Sequence, residues 1–320
     1  INNSMYALVS GGFARLHEYP YNAQGGVAGL TEADDVSMHA KSLLPSSLKT
    51  IATHENSGRV FIIGNTDSRI WLYRGVMRQN RKDQSSWTVW SMSGTILDVC
   101  VLDDDLWVLF TKTGGQYTVE RIPITEQSDD DGYAFVVCLD RKVKLTGSHS
   151  AGTTTWTLPD GVSDTSMTVI VLGPAFGSSS GTVLTATTSP GTTVTKTGNY
   201  SAGEATIGRL YSMRLKLTRP FLHWNQRGQS APNLEAALFR RKLITTHRET
   251  GDYTVRVMPE GRTTSAQAFT PTGVIDEDGV FVSWPLGDVE KNPCEIVSAA
   301  AKPVIITGMQ HQCDVAQKLR

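Results

Sequence analysis

The chain has 320 residues, of which 39% are hydrophobic and 19% are charged, and its formal net charge at pH 7 is -1. This size allows one large domain or two ordinary ones, and the composition excludes collagen, coiled coils and bulk disorder. The balanced charge argues against a dedicated DNA-binding protein, and no apolar run approaches the roughly 20 residues that a membrane-spanning helix needs.

The N-terminus is Ile1, without an initiator methionine and without the basic stretch that opens a signal peptide. We therefore expect the chain to be part of a longer protein. Its cysteines, Cys100, Cys138, Cys294 and Cys313, lie far apart and form no CxxC pair. This spacing predicts reduced, mostly buried thiols instead of a zinc or redox site.

The first segment alternates apolar and polar residues, which predicts strands at Met5 to Val9 and at Phe13 to His17. The next segment predicts the one helix of the chain. Thr31 can cap a helix from Glu32 to Leu44, and Pro45 would end it. Helix is therefore expected to be scarce.

A meander of six strands is predicted between residues 58 and 125, because short alternating runs there are separated by turn residues. The predicted strands are Val60–Ile63, Ile70–Tyr73, Trp87–Met92, Thr95–Leu102, Leu106–Phe110 and Gln116–Ile122. The predicted turns are Asn65–Asp67, Asp103–Asp105 and Gly114–Gly115. Trp87 and Trp90 are three residues apart, so they cannot face the same side of a regular strand, and one is expected in the core and the other at a neighbouring layer or subunit.

From residue 148 to residue 201 the composition shifts to Thr, Ser and Gly, and 14 of the 36 threonines lie between Ala151 and Tyr200. The β-branched runs Met167–Leu172 and Thr182–Thr187 predict a small β insertion instead of disorder. The strand pattern then returns, with Thr250–Asp252 and Asp276–Gly279 as turns between strands at Leu210–Leu217, Ala237–Thr245, Tyr253–Met258 and Val280–Trp284.

These patterns predict an all-β protein, an antiparallel meander of propeller-like or sandwich sheets with a Thr/Ser/Gly-rich β insertion and little helix. Composition suggests three domains. They are a β-meander domain at residues 1–147, the insertion at residues 148–203 and a C-terminal β domain at residues 204–320.

One motif matches the GxSxG pattern of serine hydrolases, in the segment Gly177-Ser-Ser179-Ser-Gly181. That chemistry needs a strained turn between a strand and a helix, which raises the serine above a parallel sheet. Here strand patterns both precede and follow the motif. We therefore interpret it as a flexible hairpin tip without a catalytic role.

Other charged groups are also interpreted as structural. The acidic triplets Asp103–Asp105 and Asp129–Asp131 lack the ligand register of a calcium-binding loop. His311 and Cys313 supply only two potential metal ligands. The basic residues could contact phosphate but are interpreted as solvent-facing strand residues, namely Arg74, Arg78, Arg81, Lys82 and Arg240–Lys242. The sequence thus predicts no catalytic, cofactor or metal site.

Short motifs follow one another in a fixed order along most of the chain. They are Arg15–Glu18, Ala33–Ser37, Arg69–Tyr73, Gln84–Trp90, Gly94–Asp98, Leu106–Phe110, Ile207–Tyr211, Phe239–Leu243 and Gly251–Val257. Together they resemble the C-terminal part of the tail tubular protein B family, the nozzle proteins of short-tailed bacteriophages. The Thr-rich insertion matches this family poorly.

The resemblance implies a structural protein of the virion tail, made in the cytoplasm of the host bacterium and lacking enzymatic activity and cofactors. It further implies a hexameric ring that joins the tail tubular protein A adaptor, borders the tail fibres and encloses the channel for DNA ejection. DNA would pass through this channel without specific binding.

Two alternatives remain open at the level of sequence. One is a tail-associated hydrolase of capsular polysaccharide or peptidoglycan, because sequence spacing cannot reveal whether two carboxylates face each other. The other is a β-propeller module that binds a glycan, which exposed aromatic residues at the blade loops would distinguish.

Overall fold

The fold was analysed in a computed structural model. It describes residues 4–9, 15–22, 26–27, 34–40, 43–45, 47–78, 81–111, 115–124, 132–133, 135–159, 167–187, 191–217, 220, 222–226, 229–233 and 236–317. The chain forms two compact units, residues 1–127 and residues 128–320. Antiparallel strands dominate both units, which confirms the predicted all-β class.

The first unit contains eleven described strands in three sheets. They are β1 (Ser4–Val9), β2 (Arg15–Asn22), β3 (Gly26–Val27), β4 (Asp34–Asp35), β5 (Leu48–His54), β6 (Arg59–Gly64), β7 (Arg69–Arg78), β8 (Arg81–Ser91), β9 (Thr95–Leu102), β10 (Asp105–Thr111) and β11 (Tyr117–Pro123). The sheets have the strand orders β1-β2-β3 with β4 beside β2, β5-β6-β7-β8, and β11-β10-β9.

The sheet β5–β8 is buried on both faces, and we call it the double-faced sheet. Residues 60–63 and 70–73 are all buried, which explains why these strands have continuous apolar sequences instead of alternating ones. On one face, Phe61 and Ile70 pack against strands β9 and β10. On the other face, Ile62 and Trp71 pack against Leu16 of strand β2.

The sheet β9–β11 covers one face of the double-faced sheet and is itself buried on one side only. In β10, Leu106, Val108 and Phe110 are buried, and the residues between them are partly exposed. Gly94 lies next to this strand, and a Cβ at this position would overlap the carbonyl group of Thr111. Glycine is therefore required at position 94, where the chain just before β9 approaches the end of β10.

Trp87 and Trp90 lie on opposite faces of the double-faced sheet, as their spacing predicts. The ring of Trp87 lies 5.1 Å from that of Tyr73, and its indole N–H donates to the carbonyl of Val36 at 3.2 Å. The ring of Trp90 lies 5.8 Å from that of Phe61. Both tryptophans therefore support the packing of layers within this unit.

The predicted helix from Glu32 to Leu44 is wrong in its described part. Residues Asp34–Asp35 form strand β4, and a single 3₁₀ turn follows at Met38–Ala40. The carboxylate of Asp35 accepts hydrogen bonds from the backbone N–H and the hydroxyl of Ser37, at 3.1 Å and 2.5 Å. Such local side-chain bonds compete with helical ones. Thr31 and Glu32 lie outside the described residues.

The second unit contains seventeen described strands. They are β12 (Asp140–Thr146), β13 (Ser148–Ser150), β14 (Thr153–Thr157), β15 (Val169–Leu172), β16 (Val183–Thr185), β17 (Thr193–Thr197), β18 (Glu204–Arg209), β19 (Met213–Lys216), β20 (Leu222–Gln226), β21 (Gln229–Asn233), β22 (Ala236–Thr250), β23 (Tyr253–Val257), β24 (Ser265–Phe269), β25 (Asp276–Ser283), β26 (Gly287–Asp288), β27 (Cys294–Ser298) and β28 (Ile306–Gln317). A 3₁₀ helix spans Pro174–Ser179.

The Thr-rich segment forms a small sandwich, which we call the Thr-rich sandwich. Its two sheets have the orders β12-β18-β15-β16 and β13-β14-β17. Trp156 and Val194 from the second sheet pack against Ile170 and Ile207 from the first. Strand β12 precedes the predicted insertion and pairs with β18, which follows it. The pairing therefore crosses both predicted domain boundaries, and the three-domain division stays a prediction.

The C-terminal sheets pack face to face. One has the order β19-β27-β23-β24, and the other contains β25, β22 and β28, with β26 also beside β22. Their shared core includes Leu243, Tyr253, Val255 and Ile296. The predicted turn Asp276–Gly279 is wrong, since these residues begin strand β25. There Asp278 lies opposite Arg248, and such a cross-strand pair of opposite charges stabilises a strand.

Candidate functional site

The GxSxG motif lies in the connection between the antiparallel strands β15 and β16. Gly177 has a φ of 58° and a ψ of -121° inside the 3₁₀ helix. Ser179 is exposed, and no hydrogen bond joins its hydroxyl to a histidine among the described residues. The prediction that this motif lies between two strands is confirmed. The strand-to-helix turn on which a serine nucleophile depends is not formed here.

A groove of about 500 Å³ lies beside this connection. Its lining includes Ser178, Ser180, Leu210, Asp252 and Lys302. The ammonium group of Lys302 lies 3.7 Å from the carboxylate of Asp252. These two ionic groups of the groove are thus paired with each other.

Asp103 and Asp104 of the first acidic triplet form the predicted turn between β9 and β10, and Asp105 begins β10. Asp103 adopts a φ of 52°, which turns favour. The carboxylate of Asp104 lies 2.9 Å from Nε2 of the buried His54, and Asp105 pairs with Arg121 at 3.2 Å. These contacts connect neighbouring strands. The triplet Asp129–Asp131 lies outside the described residues.

The basic residues differ in how exposed their side chains are. Arg74 is exposed, as predicted, whereas the side chains of Arg78, Arg81 and Lys82 lie outside the described part of the chain. Arg240 contradicts the prediction of a solvent-facing residue, because only 3% of it is exposed. A bulge in β22 explains why Arg240 is buried. It lies directly after Arg240, where β22 pairs with β28. The bulge lets Arg240 and Leu243 both be buried although they are three residues apart.

His311 lies beside Arg240 and accepts a hydrogen bond at Nδ1 from the guanidinium Nε, at 3.1 Å. Burial and the positive charge of Arg240 lower the pKa of His311, so its imidazole is neutral at neutral pH. Burial raises the pKa of the Cys313 thiol. In the part of the chain that the structure describes, no three His, Cys, Asp or Glu residues form a metal-binding group.

The cysteines are all free in the structure, but the expectation that most are buried is wrong. Cys294 is buried, Cys138 and Cys313 are half-buried, and Cys100 is exposed. Burial also raises the pKa of the Cys294 thiol. A protonated thiol is a poor nucleophile and a poor metal ligand, so Cys294 is suited to packing.

Sequence reasoning missed two exposed apolar surfaces. On β25 and the segment after it, Val280, Val282 and Trp284 are exposed, and Trp284 retains 56% of its surface in solvent. On β11, Tyr117 and Val119 are exposed in the same alternating manner. Alternation in the sequence indicates two different faces, but it cannot tell which sheet face another layer covers. Contiguous apolar surface of this kind is typical of contact sites.

No described helix has the length and apolar character needed to cross a membrane. Comparison with protein families matches residues 2–311 to the family described as bacteriophage nozzle protein. No curated protein matches the chain. The family match spans nearly the whole chain, including the Thr-rich sandwich that the sequence motifs covered poorly.

Proposed function

The chain belongs to the bacteriophage nozzle protein family and is a structural component of a phage tail, and from this premise we propose that it forms part of the channel for DNA ejection. The family match over residues 2–311 is the observation that carries this proposal. The family also implies an oligomeric assembly in the virion. We propose that the assembly is a hexameric ring bound to a tail tubular protein A adaptor and to tail fibres, after synthesis in the host cytoplasm.

The architecture supports a mechanical role. A tube wall has to resist bending, and the double-faced sheet is covered on both sides by packed layers. Antiparallel pairing connects neighbouring strands throughout the described residues, and cross-strand side-chain pairs stiffen a sheet further. Such an arrangement provides rigidity without a bound cofactor.

The charge of the chain supports passage of DNA without specific binding. Lysine and arginine number 30 against 31 aspartate and glutamate residues. A strongly basic channel would hold the phosphate backbone by counterion release, and the affinity would oppose sliding. A balanced charge is therefore compatible with a channel that DNA crosses and leaves.

We also propose that the chain has no enzymatic activity. A structural family supports this proposal, and so does the position of the GxSxG motif between two antiparallel strands. The hydrolase and glycan-binding alternatives receive no support from the family match.

The test is to express the complete gene product with and without the adaptor, and to measure its mass by light scattering and its symmetry by electron microscopy. We expect a sixfold ring that binds the adaptor at micromolar concentrations. A closed ring requires two different complementary surfaces on each subunit, so a fragment that lacks part of one surface would stay monomeric and provides a control. A complete protein that stays monomeric and does not bind the adaptor would contradict the proposal.

A further inference from the structure

Arg240 is a buried cation whose hydrogen-bond partners are both neutral. Its Nε donates to Nδ1 of His311 at 3.1 Å, and its Nη1 donates to the backbone carbonyl of Asn292 at 3.4 Å. Since the Nδ1 of His311 accepts this hydrogen bond, the imidazole is in its neutral form. The described residues place no carboxylate within ion-pair distance of the Arg240 guanidinium.

Two neighbouring arginines of the C-terminal sheets have carboxylate partners. Arg241, the next residue in the chain, is exposed and pairs with the carboxylate of Asp314. Arg214 pairs with the buried carboxylate of Glu295. An arginine side chain remains charged in proteins, and burying a charge without a counter-ion costs several kcal/mol in general. Arg240 is more buried than either of them, yet it has no anionic partner among the described residues.

The surroundings of Arg240 supply hydrogen-bond donors. The pairing partner of Arg240 on β26 is Gly287, which has no side chain, and a Cβ at that position would overlap the side-chain amide of Asn292. The amide of Asn292 thus fills the place opposite Arg240. The guanidinium nitrogen Nη2 has no hydrogen-bond partner among the described residues, and the fully buried atoms without partners lie elsewhere in the chain. Within the described part of the chain, Nη2 is therefore not a fully buried atom without a partner.

We propose that Arg240 and the side-chain amide of Asn292 form a binding site for one small oxyanion of the carboxylate or phosphate class. Nη2 donates to the anion as a charged group, and the Asn292 amide supplies a second, neutral donor. Charge-assisted hydrogen bonds of this kind are stronger than those between neutral groups. The neutral imidazole of His311 holds the guanidinium in place from the other side.

The burial of Arg240 limits which anions can reach it. Arg240 as a whole residue is 97% buried, so it cannot follow the backbone of duplex DNA, since that contact requires an exposed basic surface. One free anion, or one acidic side chain from a second copy of the chain, can reach Nη2. A free anion and an acidic side chain of a second copy would both accept hydrogen bonds from Nη2 through negatively charged oxygen atoms.

The experiment compares the thermal midpoint of the whole chain in sodium phosphate, sodium acetate and sodium chloride at matched ionic strength. At roughly ten times its dissociation constant, a bound anion should raise the midpoint by about 3 °C over chloride. Arg241→Met is the matched control and should keep this response. Arg240→Met should lose it.

A second variant tests the site without removing the arginine. Asn292→Asp places a carboxylate beside the guanidinium, so it should raise the midpoint in chloride and abolish the response to phosphate. If the anion is instead an acidic side chain of a second copy, the midpoint in chloride should rise with protein concentration, and Asn292→Asp should remove that dependence. The proposal is overturned if neither response occurs in the unmodified chain, or if Asn292→Asp responds as the unmodified chain does.

Discussion

The double-faced sheet of the first unit and the Thr-rich sandwich of the second unit solve the same packing problem with different residues. In strands β6 and β7 of the double-faced sheet, residues 60–63 and 70–73 are continuous runs of Ile, Val, Leu, Phe, Trp and Tyr that are buried on both faces. Strand β14 of the sandwich is Thr153-Thr-Thr-Trp-Thr157, in which Thr154 and Trp156 are buried and the residues between them are partly exposed. A threonine-rich strand can thus enter a core when its hydroxyl groups are hydrogen-bonded.

The difference extends to the largest side chain in each core. Trp71 of the double-faced sheet and Trp156 of the sandwich are both fully buried. The indole N–H of Trp71 donates to the carbonyl of Leu43 at 2.6 Å, whereas the indole N–H of Trp156 has no hydrogen-bond partner among the described residues. Among the described residues of the sandwich, the buried Thr154 is thus hydrogen-bonded, whereas the buried indole N–H of Trp156 is not.

The largest effect is expected from Trp71→Ala. Removing the indole leaves a cavity between β7 and strand β2, and we expect the free energy of unfolding of the first unit to fall by about 3–5 kcal/mol. Urea unfolding followed by circular dichroism measures it. Val89, which lies opposite Trp71 on β8 and is partly exposed, provides the control, and Val89→Ala should cost less than about 1 kcal/mol. Equal losses would contradict a core centred on Trp71.

The next effect tests the role of hydroxyl groups in the sandwich. The hydroxyl of Thr154 donates to the carbonyl of Gly198 and accepts from the backbone N–H of Tyr200, both at 2.8 Å. Thr154→Val keeps the shape but removes both bonds, so it should cost about 1–3 kcal/mol. Thr155→Val, on the partly exposed face of the same strand, should change stability by less than about 0.5 kcal/mol. A neutral Thr154→Val would show that packing alone maintains this core.

A smaller difference in the free energy of unfolding is expected between variants of Trp71 and of Trp156. Trp71→Phe removes a donor on which the Leu43 carbonyl depends, and Trp156→Phe removes an N–H without a partner in the described part of the chain. Both variants lose similar volume, so the difference between them reports the hydrogen bond. We expect Trp71→Phe to cost about 1 kcal/mol more than Trp156→Phe, as measured by urea unfolding of each variant. The reverse order would mean that the packing of the two indoles differs more than their hydrogen bonds.

Local sequence patterns predicted most strands of the meander because alternation and turn residues act over a few positions, but they did not indicate strand β5 (Leu48–His54). The strands β9 (Thr95–Leu102) and β10 (Asp105–Thr111) and the turn between them agree with the pattern. The helix expected from Glu32 to Leu44 was wrong since a cap and a proline describe only its ends. The carboxylate of Asp35, which decides the local structure, bonds to Ser37 instead.

Features that depend on distant residues could not be predicted. The shift in composition at residue 148 does not mark the end of a sheet, because β12 (Asp140–Thr146) pairs with a strand that begins at Glu204. The burial of Arg240 depends on a bulge that has no local signal. At the candidate site, the position of the GxSxG motif between two strands could be predicted because the flanking strands were visible in the sequence, whereas the exposed face around Trp284 was not.

The smallest expected effect concerns Ser179, at the edge of the sandwich. Its side chain is exposed, and among the described residues it makes no hydrogen bond, so Ser179→Ala should leave the free energy of unfolding within about 0.5 kcal/mol of the unmodified chain. The variant should also be indistinguishable from the unmodified chain when both are incubated with capsular polysaccharide and with peptidoglycan. Gly177→Ala is the matched structural change, because Gly177 has a positive φ that a Cβ disfavours, and it should cost about 1 kcal/mol although nothing lies within 4 Å of that Cβ. Reproducible cleavage that Ser179→Ala abolishes would instead show that the connection between β15 and β16 carries chemistry, and it would restore the hydrolase alternative.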